Sequence, residues 1–155
     1  LALMVGLSDD KTGPGGDPQA KHSAKVSGVI DFYGVVIFSK HGKGVVPGVS
    51  AAEQAAYLPE NQCDPQDPPV LILHGTADTT VDISQSEDMA KALRAAKVSH
   101  EYVVVEGAPH TFDLHPKGKG WKRTGVVGGV EVNGTSDQPD VTKVTLEFLA
   151  RTIGK

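Results

Sequence analysis

The sequence predicts an α/β fold in which a parallel sheet of about three strands is flanked by helices. Three observations predict it. The run VLIL at 70–73 is short, unbroken and bounded by turn residues, as expected of a strand buried on both faces of a parallel sheet. The segment after it returns apolar residues at helical spacing, Met89, Leu93 and Ala96, which makes one apolar helix face. EYVVV at 101–105 then supplies a second valine-rich strand, and strands alternating with helices imply βαβ units and a parallel sheet.

The elements follow in order. Leu1 to Leu7 has the composition of the last turns of a buried helix, and DDKTGPGGDPQAKH at 9–22 has no periodicity and is expected to be a loop. VSGVIDF at 26–32 is the first strand, closed by Tyr33-Gly34, with VVIF at 35–38 either prolonging it or starting a turn. AAEQAAYL at 51–58 favours a short helix ended before Pro59, and 59–69 is a proline-rich loop. After VLIL, Ser84 and Glu87 have the S-x-x-E spacing of a capping box, and Glu87 and Lys91 stand four apart in the favourable order. Val98 ends that helix, and a long loop is expected between the strand at 101–105 and the last helix. A last helix runs from about Pro139 to Ile153, with Asp137 as its cap and Val141, Val144, Phe148 and Leu149 facing inward.

Composition excludes several function classes. The 155 residues suit one domain and suffice to bury a core. A net charge of −4 offers no basic stripe to neutralise phosphates, so no nucleic-acid partner is expected. The basic group Lys117, Lys119, Lys122 and Arg123 is short and interleaved with glycine, which favours a solvated loop. With Cys63 as the sole cysteine there is no internal disulfide. Asn61, Asp64 and Asp67 surround it, and nothing there lowers a thiol pKa, so it is not expected to be a nucleophile. No apolar run reaches the roughly 18 residues of a membrane span, and LALMVGLS lacks a preceding basic residue and so makes a poor signal peptide.

In a parallel sheet, functional groups gather in loops past the carboxyl ends of the strands. Two such loops stand out, HGTADTTVD after the second strand and EGAPHTFDLH after the third. Asp78 lies five residues beyond Leu73 and His110 five beyond Val105. If the strands are neighbours, about 4.8 Å apart, the two loops touch, and an Asp beside a His imidazole fixes its tautomer and stabilises the imidazolium during proton transfer. Gly75 and Gly107 let the chain leave each strand sharply.

These motifs carry a resemblance. VLILHGTADTTVDISQSEDMAKALRAAKVSHEYVVVEGAPHTFDL resembles the C-terminal part of α/β-hydrolase serine esterases, of the acetyl xylan esterase and feruloyl esterase kind. Dienelactone hydrolases and prolyl oligopeptidases are more distant by pattern. H-G-x-x-D-x-x-V at 74–81 matches the segment that carries the family's catalytic acid, which implies Asp78, and G-x-x-H-x-F at 107–112 matches the one that carries its histidine, which implies His110. VSGVIDFYG resembles the strand before the family's variable cap region. The likeness is specific between residues 68 and 114 and weak across 116–138. It implies a partial α/β-hydrolase fold, residues 1–155 forming the C-terminal portion of one such domain. The family's nucleophile elbow, G-x-S-x-G, does not occur in these residues, and LALMVGLSDD resembles the end of the helix that follows it. The implied parent is a carboxylic-ester hydrolase acting on acetyl or feruloyl esters of polysaccharide or other small esters. It needs no cofactor or metal, and a secreted or periplasmic setting is compatible with it. This chain alone is expected to be inactive.

Alternatives remain at each position. Asp78 alone could be a turn acid bonding its own backbone. Asp31, near the end of the first strand, is the rival acid, and Asp82 suits a helix N-terminus. His74 is expected to pack or bond locally, and His22, His41, His100 and His115 to lie on the surface. Ser50, in G-x-S-x-A at 48–52, is the alternative nucleophile within the chain, although Pro47 spoils the strand before it. His110, Asp113, His115 and Asp78 match no metal-site spacing. A peptidase of the same fold shares both loops, and a non-catalytic module that associates through the open sheet edge at 26–32, with a second copy or an N-terminal half, is the remaining reading.

Overall fold

The computed structural model describes residues 2–7, 25–36, 48–114, 121–127, 130–136 and 138–154. The elements run α1 (Ala2–Leu7), β1 (Val29–Phe32), α2 (Ala51–Ala55), a 3-10 turn (Pro59–Asn61), β2 (Val70–Gly75), α3 (Ser84–Ala95), β3 (His100–Val105), a second 3-10 turn (Phe112–Leu114), β4 (Trp121–Val127), β5 (Val130–Ser136) and α4 (Gln138–Ile153). The sheet order is β1-β2-β3-β4-β5. The first three strands are parallel, Ile72 standing beside Asp31 on one side and Tyr102 on the other.

β2 explains why VLIL is unbroken. Its six residues are all buried, and its side chains alternate between two cores. Val70 and Ile72 join Leu3, Leu7, Val29, Met89, Leu93 and Val98 on one face. Leu71 and Leu73 join Val103, Val105, Phe112, Trp121, Val141, Val144 and Phe148 on the other. A strand between two helical layers has no polar side to present, so the periodicity of two vanishes from its sequence.

Four expectations are corrected. Residues 121–127 and 130–136, expected within a long loop, form an antiparallel hairpin that adds two strands beside β3, so the sheet has five strands among the described residues, of which three are parallel. The first strand is shorter than 26–32, beginning at Val29. The capping box at Ser84 does not form, because Asp82 takes its place: its carboxylate accepts the Ser84 N–H at 2.9 Å and its carbonyl the Gln85 N–H at 3.0 Å. Finally, Lys122 and Arg123 belong to β4, and Arg123 faces Asp140 of α4 at 3.0 Å, so they are not a solvated loop. Lys117, Lys119, His22, His41, His115 and the Asp137 cap lie outside the described residues.

Candidate active site

The site lies where β2 and β3 end. Their loops are joined by two backbone bonds and one to a threonine hydroxyl. Thr76 N–H donates to Val105 O and Ala77 N–H to Ala108 O, both at 3.0 Å, and Gly107 N–H donates to the Thr76 hydroxyl at 2.8 Å. Gly75 makes this approach possible, since a Cβ there would stand 2.2 Å from the Ala108 carbonyl oxygen. The chain then turns, Asp78 N–H reaching Gly75 O at 3.2 Å.

Asp78 and His110 meet: Nδ1 of His110 is 2.7 Å from Oδ2 of Asp78. The Asp78 side chain has no exposed surface, while the imidazole is 29% exposed. The other carboxylate oxygen, Oδ1, accepts the N–H groups of Thr80 and Val81, each at 2.8 Å. Asp78 therefore makes the turn-acid contacts and the imidazole contact at once. Burial pushes its pKa up, but the Val81 N–H, His110 and the Thr80 N–H outweigh it and hold the carboxyl below its ordinary value. An ionised acceptor facing Nδ1 fixes the proton there, which leaves Nε2 of His110 as the basic nitrogen.

His74 stands behind this pair and is fully buried. Its Nδ1 lies 2.6 Å from the Ser86 hydroxyl, and its Nε2 lies 3.0 Å from Val81 O and 3.3 Å from Asp78 Oδ2. A carbonyl only accepts, so Nε2 carries the proton and Nδ1 accepts from Ser86. Burial lowers the His74 pKa, so the ring is neutral. Its environment is local, but it bears on the acid.

Tyr33, at the end of β1, completes the cluster. Its ring centroid is 4.4 Å from that of His110, and its hydroxyl donates to Asp113 Oδ1 at 2.6 Å. Phe32 and Phe112 pack around it. Tyr33, His74, Ser86 and Asp113 were not singled out as site residues by the sequence. For Tyr33 the signal was its position, since it too follows the carboxyl end of a parallel strand.

The remaining residues stand elsewhere. Asp31 shares the β1 face of Val29, by strand alternation. It is 9% exposed; burial raises its pKa to about 6, partly opposed by a hydrogen bond from the Gly34 N–H. Ser50 caps α2 in a full capping box: its hydroxyl donates to Glu53 Oε2 at 2.7 Å and accepts the Glu53 N–H at 3.2 Å. Cys63 is a poor nucleophile, because burial and the carboxylates of Asp67, Glu60 and Asp64 push its thiol to about 11. No group of three or more metal-ligating side chains occurs among the described residues, and no helix among them is long and apolar enough to cross a membrane.

Known proteins share this fold in part. Esterase 2 of Thermogutta terrifontis, in its form phosphorylated by paraoxon, superposes with a TM-score of 0.59 at 27% identity, over 96% of this chain and 48% of its own. An acetyl ester-xyloside bifunctional hydrolase from Caldicellulosiruptor lactoaceticus gives 0.60 at 18% identity, over 72% and 43%. A 48-residue segment is 44% identical to the non-reducing polyketide synthase mapC of Penicillium brevicompactum, covering 31% of this chain and 2% of that protein. The chain thus spans about half the length of the two hydrolases and a small part of the synthase. The family model BD-FAE matches residues 1–93, a span that contains Asp78 and stops short of His110. The chain belongs to the BD-FAE family, a family of α/β-hydrolase esterases.

Proposed function

We propose that this chain carries the acid and the base of a serine esterase triad, with Asp78 as the acid and His110 as the base. One observation carries the reading: the 2.7 Å contact of His110 Nδ1 with a buried carboxylate whose other oxygen is held by two backbone N–H groups. In the reaction, Nε2 of His110 takes the proton of a serine hydroxyl while Oγ bonds to the ester carbonyl carbon. Collapse of the tetrahedral adduct breaks the C–O bond to the alcohol, which leaves with the proton from Nε2. Water, deprotonated by the same nitrogen, then hydrolyses the acyl-serine.

The serine comes from outside these 155 residues. G-x-S-x-G is absent from the sequence, and the Ser50 hydroxyl is engaged in its helix cap. β1 pairs only with β2 among the described strands, so its outer edge offers unpaired backbone groups to a further strand. The serine-bearing segment adds there. The substrates are acetyl or feruloyl esters of polysaccharide, or other small esters, as the sequence resemblance implies; the acetyl ester-xyloside hydrolase similar in fold supports the acetyl class by its name.

The experiment compares the 155-residue chain, alone and joined to the segment encoded before Leu1, for hydrolysis of p-nitrophenyl acetate, cleavage of a p-nitroanilide and labelling by a fluorophosphonate. The expected result is ester hydrolysis and labelling in the joined protein only, both abolished by His110→Ala. Stoichiometric labelling of Ser50 in the 155-residue chain overturns the assignment of the nucleophile, and anilide cleavage in preference to the ester overturns the esterase class.

A further inference from the structure

The turn at Asp31–Gly34 is built to hold one side chain in a strained place. Tyr33 has φ +44°, a region that bulky residues rarely enter. Its N–H donates to Leu73 O at 2.8 Å. The Asp31 carboxylate accepts the Gly34 N–H, and it fills the space beside Gly34, where an added Cβ would stand 2.2 Å from Asp31 Oδ1 and displace that carboxylate. At the far end of the ring, the phenol donates to Asp113, 80 residues away. Burial, with the Asp113 carboxylate, raises the phenol's pKa, so it remains a donor. Thr111, next to His110, is also strained at φ +60°. Two strained residues therefore bear on His110, Tyr33 by ring contact and Thr111 as its chain neighbour, bonded to its carbonyl, and their cost must be met by the contacts that hold them.

We infer that Tyr33 is a positioning residue for His110: its ring, clamped between the Asp31–Gly34 turn and Asp113, limits rotation of the imidazole and keeps Nδ1 on Asp78. The His110–Asp78 bond sets the distance, and Tyr33 restricts the ring's remaining freedom. This rests on the reading of His110 as the base, and it adds a residue that acts through His110 and touches no reacting atom.

The test is NMR of the isotope-labelled 155-residue chain, following the hydrogen-bonded Nδ1–H proton of His110, assigned by its absence in His110→Gln. Tyr33→Leu removes the ring, and its Nδ1–H is expected to exchange with solvent about tenfold faster. Tyr33→Phe keeps the ring but loses its anchor on Asp113, and a rise of about threefold is expected. The amides of Thr80 and Val81, which report the acid loop, should stay in place. Exchange within about twofold of the wild type in Tyr33→Leu, with those amides unmoved, overturns the inference. Should Tyr33→Leu displace the amides, Tyr33→Phe decides, and wild-type exchange there overturns it equally. Failure of the esterase reading would leave this result untouched, because the proton reports ring geometry and not turnover.

Discussion

Asp31→Asn tests how the turn beneath Tyr33 is stabilised. The Asp31 carboxyl is buried, its Oδ2 has no hydrogen-bond partner among the described residues, and burial raises its pKa from 3.8 to about 6. The folded state therefore holds the proton more tightly than the unfolded chain does. A rise of that size corresponds to about 3 kcal/mol, at ~1.4 kcal/mol for each tenfold in proton affinity. The sign follows from the direction: because the folded pKa lies above the unfolded one, the stabilisation is fully present below 3.8 and is lost as pH rises towards about 6. Asparagine keeps an oxygen for the Gly34 N–H and carries no charge, so its stability does not respond to pH at this position. Urea unfolding of both proteins from pH 3.5 to pH 7.5 should show the wild type losing about 3 kcal/mol relative to Asp31→Asn, most of it between about pH 4 and pH 6. Taking the difference removes every other titrating group common to both chains, Asp78 included. A flat difference across that range, or a wild type that gains on the variant as pH rises, would refute the argument.

Two further perturbations bear on the loops themselves. Ser86→Ala leaves the buried Nδ1 of His74 without its donor, and urea unfolding should register a loss of about 1–3 kcal/mol. Gly75→Ala places a methyl group 2.2 Å from the Ala108 carbonyl oxygen. Backbone must move, so a loss of about 1–3 kcal/mol is expected together with disappearance of the His110 Nδ1–H signal; retention of that signal at full stability would show that the loops meet without a glycine.

The parts of this fold that were legible in the sequence are those decided locally or by burial on two sides. VLIL was legible because β2 has no solvent face, and Met89 and Leu93 because α3 buries one stripe against β2 and β3. The hairpin was not. Gly125 and Gly134 stand inside β4 and β5 and dilute their alternation, while the Gly-Gly dipeptide between Val127 and Val130 was the hairpin signal that could have found it. The S-x-x-E pattern was local evidence that competed with itself. It forms a capping box at Ser50, where an extended cap residue precedes α2, and fails at Ser84, which already lies within α3 while Asp82 takes the turn before it. For the site, Asp78 and His110 could be placed in adjoining loops because parallel strands share one carboxyl edge. Tyr33 and Asp113 meet across 80 residues, a contact that no spacing encodes.

The two histidines at Asp78 show how one carboxylate can be reserved for one partner. Both ring nitrogens face the same oxygen, Oδ2, at 2.7 Å from His110 and 3.3 Å from His74. Were both rings able to charge equally, the acid would divide its stabilisation between them, and much of it would fall on a ring with no proton to transfer. Burial prevents this. His74 has no exposed surface, and desolvation lowers its pKa, whereas His110 keeps 29% of its side chain in contact with solvent, where an imidazolium retains part of its hydration. Neutral His74 gives its Nε2 proton to the Val81 carbonyl and receives one from Ser86, so it stands beside the carboxylate without competing for its charge. Under the proposed mechanism the negative charge is then directed at the imidazole that must become cationic when a serine proton arrives. Under that mechanism the burial of His74 behind β2, with Ser86 on its Nδ1, decides which of two rings Asp78 stabilises.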